Sequence, residues 1–201
     1  EVPLFDPDNI RSAEVGALWH LVDLLAGCDS VQELTEAESG TPTQMKASAR
    51  RRFIIGPHAG PWDADEFTID ELESRFIEFQ IYLPTEGGRT VLKSDSSFDR
   101  ADESGDIHLI VRRLVRQSEL NEIDADNSLD GRQSLYLGFA DCISQMEAEA
   151  MVAAESLACP RLQAFIRQQG PSFGEKRTGS AQGEYLFAQY AITWGDSISN
   201  Q

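Results

Sequence analysis

Ile77, Phe79, Ile81 and Leu83 fall on one side of a two-residue period in the run 75–83, with Glu78 and Gln80 on the other. That alternation predicts a half-buried β-strand. Pro84-Thr85-Glu86-Gly87-Gly88 supplies turn chemistry behind it. Arg89–Lys93 is then expected to return as the second arm of a hairpin. The same period closes the chain over 184–194, where Leu186, Ala188, Tyr190, Ile192 and Trp194 share one face. Shorter strands are predicted at 161–168, from Leu162, Ala164 and Ile166 against Gln163, Phe165 and Arg167, and at 52–55. Phe79, Ile81, Tyr190 and Ile192 are expected to face helices across one sheet, and Glu78 and Gln80 to form its wet side.

Helical spacing appears twice. Val15, Leu18, Trp19, Val22 and Leu25 form a stripe behind the capping residue Ser12, and Gly27 ends a helix of about 12–27. Ile143, Met146, Ala150, Ala153, Ala154 and Leu157 predict a second helix over 138–157, halted by Pro160. Residues 107–118 satisfy both periods: Ile107, Ile110, Val111, Leu114 and Val115 make a helical stripe, while their β-branching favours strand. Their length and the Arg112-Arg113 placement favour a helix.

Polar segments 35–48, 94–106, 121–133 and 170–182 read as loops, the acidic 94–106 as a mobile one. Gly56 to Trp62, with two glycines and two prolines, excludes regular structure. The whole is one α+β domain over 1–201. Its mixed or antiparallel sheet is drawn from 52–55, 75–83, 89–93, 161–168 and 184–194, packed by helices and joined by long polar loops.

Charge narrows the function. Thirty-four acidic residues against 17 basic ones give a net −17, which disfavours phosphate binding. The one basic cluster, Arg50-Arg51-Arg52, runs into Phe53-Ile54-Ile55 and reads as the charged start of a strand or a contact for an acidic partner. A hydrophobic content of 41% is enough for a packed core. Charged residues interrupt every apolar run, so no membrane span is expected. Glu1 to Asp6 has neither a basic start nor a hydrophobic centre, and no secretory leader is expected. Cys28, Cys142 and Cys159 are odd in number and widely spaced, pointing to buried thiols in a reducing compartment.

Catalytic chemistry finds little footing. Asp124-x-Asp126-Asn127-x-x-Asp130-Gly131 has a calcium loop's carboxylates, but its glycine is late and position 135 is Leu rather than Glu. His20, His58 and His108 stand at no zinc spacing. Asp63, Asp65 and Glu78 would suit a two-metal nuclease, yet the strand lacks an accompanying lysine and the chain would repel DNA. Neither a nucleophile elbow, a P-loop nor a dinucleotide fingerprint occurs. No enzyme, metal or cofactor is expected.

One resemblance sharpens this reading. The helix Leu18-Trp19-His20-Leu21-Val22-Asp23-Leu24-Leu25 precedes a strand ending in Gly-Pro and then Phe-Ile-Glu-Phe-Gln-Ile-Tyr-Leu. The chain closes on Ala181-Gln182-Gly183-Glu184-Tyr185 and Ala188-Gln189-Tyr190-Ala191-Ile192-Thr193-Trp194. This layout resembles the tail-terminator and tail-completion (neck) proteins of tailed bacteriophages.

The resemblance implies a structural, non-catalytic virion protein assembled in the host cytoplasm. It would form a homo-oligomeric ring, a hexamer of about six copies, between the tail tube and the head–tail connector. DNA would pass without specific binding, and an acidic wall would help it move. The expected subunit contact sets Arg50, Arg51 and Arg52 against an acidic loop of the next copy, such as 63–73 or 94–106, the latter carrying Asp95, Asp99, Asp102 and Glu103. The alternative is a cytosolic ligand-binding or regulatory α/β domain with a pocket under the sheet.

Overall fold

A computed structural model describes residues 5–10, 12–37, 39–56, 77–84, 89–93, 101–124, 128–155, 161–178 and 181–196. The expectations placed on 57–76, 94–100 and 156–160, Cys159 and Pro160 included, lie outside the described residues. The architecture is α+β, with a mixed open sheet covered by helices on one face.

The first helix, α1, runs Ala13–Ala26. Ser12 caps it, its Oγ accepting from Val15 N at 3.5 Å. Its buried face is broader than the predicted stripe and includes Ala17, Leu21, Leu24 and Ala26, while Val15 lies at the exposed rim.

A short α2, Asp29–Leu34, follows, and residues 35–48 are not the predicted continuous loop, because α3, Pro42–Arg50, starts within them. A capping box starts α3, with Gln44 N donating to Thr41 Oγ1 (3.4 Å) and Thr41 N donating to Gln44 Oε1 (2.9 Å). Pro42 occupies the first helical turn, where its missing N–H costs nothing. By contrast, α2 has no local side-chain cap. Glu149 accepts instead from Ser30 N (3.1 Å) and Ser30 Oγ (2.8 Å).

The strands are β1 (Phe53–Ile55), β2 (Ile77–Tyr82), β3 (Arg89–Lys93), β4 (Ala101–Val115), β7 (Arg161–Thr178) and β8 (Ala181–Asp196). A separate two-stranded ladder joins β5 (Ile123–Asp124) to β6 (Leu129–Asp130) within the segment expected to be loop. The sheet order is β1-β2-β4-β8-β7, with β3 also on β4. Only the β1–β2 pairing is parallel among the described residues.

Three expectations are corrected here. Residues 107–115 are strand, not helix: β4 is paired on both edges, by β2 and β8, and it buries apolar side chains of both parities, Leu114 as well as Ile107, Leu109 and Val111. Ile107, Leu109 and Val111 are fully buried on one face, with Ile110 half-buried on the other, and this double burial imitated a helical stripe. Part of the predicted acidic loop, 101–106, is the start of the same strand.

The predicted β2–β3 hairpin is the second correction. Ile77 pairs with Arg113 and Tyr82 with His108, while Arg89 pairs with Gly105 and Lys93 with Ala101. β2 and β3 therefore lie end to end along one side of β4, whose length accommodates both.

Third, β7 continues through 170–178 instead of breaking into a loop. Gly170 sits at φ 82 within the register shift from Gln169 to Ser172, which directly follows another from Arg167 to Gln169. A Cβ there would stand 2.2 Å from the Phe187 oxygen. Gly170 and Pro171 thus mark a bulge within the strand, and pairing resumes beyond it.

A four-residue α4 (Gln117–Leu120) leads to the long α5, Gly131–Ala154, which begins seven positions before the predicted 138. Asp130 caps it, accepting from Gln133 N at 2.8 Å, while Asp130 N donates to Gln133 Oε1 at 3.3 Å. Gly131 is buried against the preceding turn, where a Cβ would meet the Glu119 oxygen at 2.0 Å. Gly131→Ala is therefore expected to displace α5 and cost about 2–3 kcal/mol, despite alanine's higher helix propensity. Urea unfolding checks this: an unchanged or raised midpoint would contradict the close approach.

Cross-strand register puts Phe79, Ile81, Tyr190 and Ile192 on the helix-facing side, as expected, together with Ile77, Leu109, Val111, Leu186 and Ala188. Helix α5 lies against β7 and β8, and α1 against β4. Glu147 of α5 ties this layer down. It accepts from Arg167 Nε (2.6 Å) and NH2 (2.8 Å) and from Tyr190 Oη (2.8 Å). Burial and that carboxylate push the Tyr190 phenol well above its ordinary range, so it stays a donor at every physiological pH.

Candidate assembly surface

The basic cluster divides on folding. Arg50 ends α3 and donates to Asp23 of α1, which also pairs with Lys46 Nζ at 2.6 Å. Its guanidinium lies over Trp19, 5.1 Å from the ring centroid. Arg52 is half-buried, and its carbonyl accepts from Phe79 N at 2.9 Å as the chain enters β1. Arg51 is the exposed member.

Of the acidic candidates, Asp102 and Glu103 belong to β4, in register with Leu92 and Val91 of β3. Asp95 and Asp99 lie outside the described residues. Arg51 precedes β1, which pairs with β2, and both β2 and β3 lie along the same side of β4. The described parts of the two predicted contact partners thus flank one side of the sheet, with β7 at the opposite edge.

Glu78 and Gln80 correct a further expectation. They lie on the sheet face away from the helical core, yet they are 2% and 1% exposed, so this part of the face is not wet. Arg112, their neighbour on β4, places NH1 3.6 Å from Glu78 Oε1 and donates from NH2 to Gln80 Oε1 at 2.7 Å. Gln80 Nε2 donates to the Gly56 oxygen at 3.2 Å. The result is a buried polar cluster that fixes β2 against β4 and the exit from β1.

Concave surfaces exist among the helices. One, of about 660 Å³, is lined by His20, Asp23, Cys28, Lys46, Glu149 and Val152 from α1, α3, α5 and the α1–α2 junction. Burial, reinforced by Glu149, pushes the Cys28 thiol up to about 12, so it stays protonated and a poor nucleophile at neutral pH. A second hollow of about 400 Å³ lies beside Tyr136, Leu137 and Phe173, where Arg132 stacks on Phe173 at 4.1 Å. Cys142, half-buried, likewise has its thiol pushed up by burial.

No group of three or more potential metal ligands converges among the described residues. No described helix is long and apolar enough to cross a membrane. No protein-family model matches the chain, and no curated protein matches it.

Proposed function

We propose that this protein is a structural subunit of a phage tail-terminator or tail-completion ring, joining the tail tube to the head–tail connector and acting without a catalytic site. The observation that carries the reading is a net charge of −17 on a small domain with an open sheet. A closed ring needs one surface on each subunit to meet a different surface on the next, and a sheet with two unlike edges provides unlike surfaces. Here β1 and β3 bound one side and β7 the other. Copies at −17 around a central opening would repel DNA phosphates and keep the duplex mobile.

The test is assembly. Purified protein is expected to show rings of about six copies by mass photometry and electron microscopy, and to restore normal tails to a phage lacking its own terminator. Arg51→Glu, altering an exposed side chain, is expected to weaken ring formation about tenfold while leaving the melting temperature within about 1 °C. A chain that stays monomeric at all concentrations and fails to complement would overturn the reading.

A second reading, a cytosolic ligand-binding or regulatory domain, draws on the 660 Å³ cavity, which has the size of a small-molecule site. That cavity opens between helices rather than under the sheet, and Asp23 and Glu149 on its wall are already hydrogen-bonded within the fold. Thermal stabilisation by a metabolite panel, in a chain that forms no rings, would favour it.

A further inference from the structure

We infer that a hollow between α2, β4 and α5 is a socket for an arginine side chain, and that its occupant is Arg51 of a neighbouring copy of this chain. The inference rests on the ring reading above. The hollow measures about 250 Å³. That is below the range of about 300–1,000 Å³ usual for small-molecule sites, and it suits one long side chain. Leu34 of α2 and Leu135 and Phe139 of α5 give it apolar walls, and Glu33 and Glu36 line it with exposed carboxylates. Such a lining matches arginine, whose methylene stem lies against apolar surface while its charged head reaches carboxylates.

The fold leaves both carboxylates uncommitted. Among the described residues, neither the Glu33 nor the Glu36 side chain has a hydrogen bond or an ion pair. Glu33 adds to burial in holding the thiol of Cys142, on the α5 wall, above its ordinary range, so its charge is felt inside the hollow. The cation already on the wall, Arg113, is engaged elsewhere: it donates to Glu119 from NH2 at 2.6 Å and from NH1 at 3.4 Å. Gly138 keeps the space open. A Cβ at this position would meet nothing within 4 Å. Glycine is a poor helix former inside α5, and here its missing side chain leaves room for a guest.

Charge selects the occupant. Lys46 and Arg50 pair with Asp23, and Arg112, Arg113, Arg132 and Arg167 each face a carboxylate. Arg51, at the end of α3, is exposed and among the described residues has no ion pair or side-chain hydrogen bond. A free guanidinium and a pair of free carboxylates on unlike surfaces of one chain are complementary between copies. Its five N–H donors are enough to serve both carboxylates.

The experiment follows self-association by mass photometry over a concentration series. Glu33→Lys/Glu36→Lys alters two exposed side chains and is expected to weaken association about tenfold at low salt, as Arg51→Glu does. Combining all three reversals restores complementarity and is expected to bring association back to within about threefold of wild type. Gly138→Leu fills the hollow without changing a charge. It is expected to weaken association about tenfold with a melting temperature no lower than wild type, since leucine is the better helix former. Rings that form equally well from Glu33→Lys/Glu36→Lys or from Gly138→Leu would overturn this contact and leave the ring reading standing. So would a combined variant that melts like wild type yet assembles no better than Arg51→Glu alone. A wild-type chain monomeric at every concentration would overturn both.

Discussion

Phe79→Asp is expected to abolish cooperative folding. Phe79 is fully buried in the middle of β2, and its ring stacks on Phe53 of β1 with centroids 4.8 Å apart. Its neighbours in register, Val111 and Ala188, are also fully buried, so no route to solvent exists for a carboxylate at this position. Loss of the ring alone costs about 3–5 kcal/mol through lost contacts and a residual cavity. Burying a charge without a partner adds several more. Against a typical total stability of about 5–15 kcal/mol the sum is decisive. Circular dichroism would show no sigmoidal melt, whereas Phe79→Leu is expected to retain one at a lowered temperature. A soluble Phe79→Asp protein with a cooperative transition would refute this placement of β2.

That placement was legible because apolar and polar residues alternate along β2, and the buried residues of β8 recur at the same two-residue period. The Ser12-to-Gly27 helix was equally plain, since its cap, stripe and terminator all lie within the segment. The failures share a physical cause: a partner outside the segment decided the outcome. β4 buries apolar residues on both of its faces, so they lost the two-residue period that identifies a strand. α2 owes its N-terminal hydrogen bonds to Glu149, more than a hundred residues away, and nothing local announces it. β7 passes through Gly170-Pro171, which reads as a break unless β8 is known to resume pairing beyond it.

Two helix starts, however, were present in the letters. Thr41-Pro42-Thr43-Gln44 and Asp130-Gly131-Arg132-Gln133 both place a capping residue three positions before glutamine. Weighting that signal above the polar composition of 35–48 and 121–133 would have found α3 and the true start of α5. For the assembly surface, sequence located a basic cluster but could not divide it. Only the fold commits Arg50 to Asp23 and Trp19 and leaves Arg51 exposed.

The buried cluster on the far face of the sheet yields the other large expected effect. Arg112→Met keeps much of the side chain's length but removes the cation 3.6 Å from Glu78 and the donor to Gln80. The Glu78 side chain is only 3% exposed, so water cannot replace what is lost. Removing one member of a buried ion pair typically costs about 3–5 kcal/mol, because the remaining charge stays desolvated. Arg112→Met is accordingly expected to lower the urea midpoint by an amount equivalent to about 3 kcal/mol. Adding Glu78→Gln removes the buried carboxylate and is expected to recover at least about half of that loss, since a neutral amide is far less costly to bury. The double-mutant cycle separates charge from packing. If Glu78→Gln/Arg112→Met is no more stable than Arg112→Met alone, the arginine's aliphatic contacts hold β2 to β4 and the ion pair does not. Recovery would mean that the pair's role is to fix which residues of β2 and β4 stand opposite one another. That register is what carries Phe79 and Ile81 onto the helix-facing side.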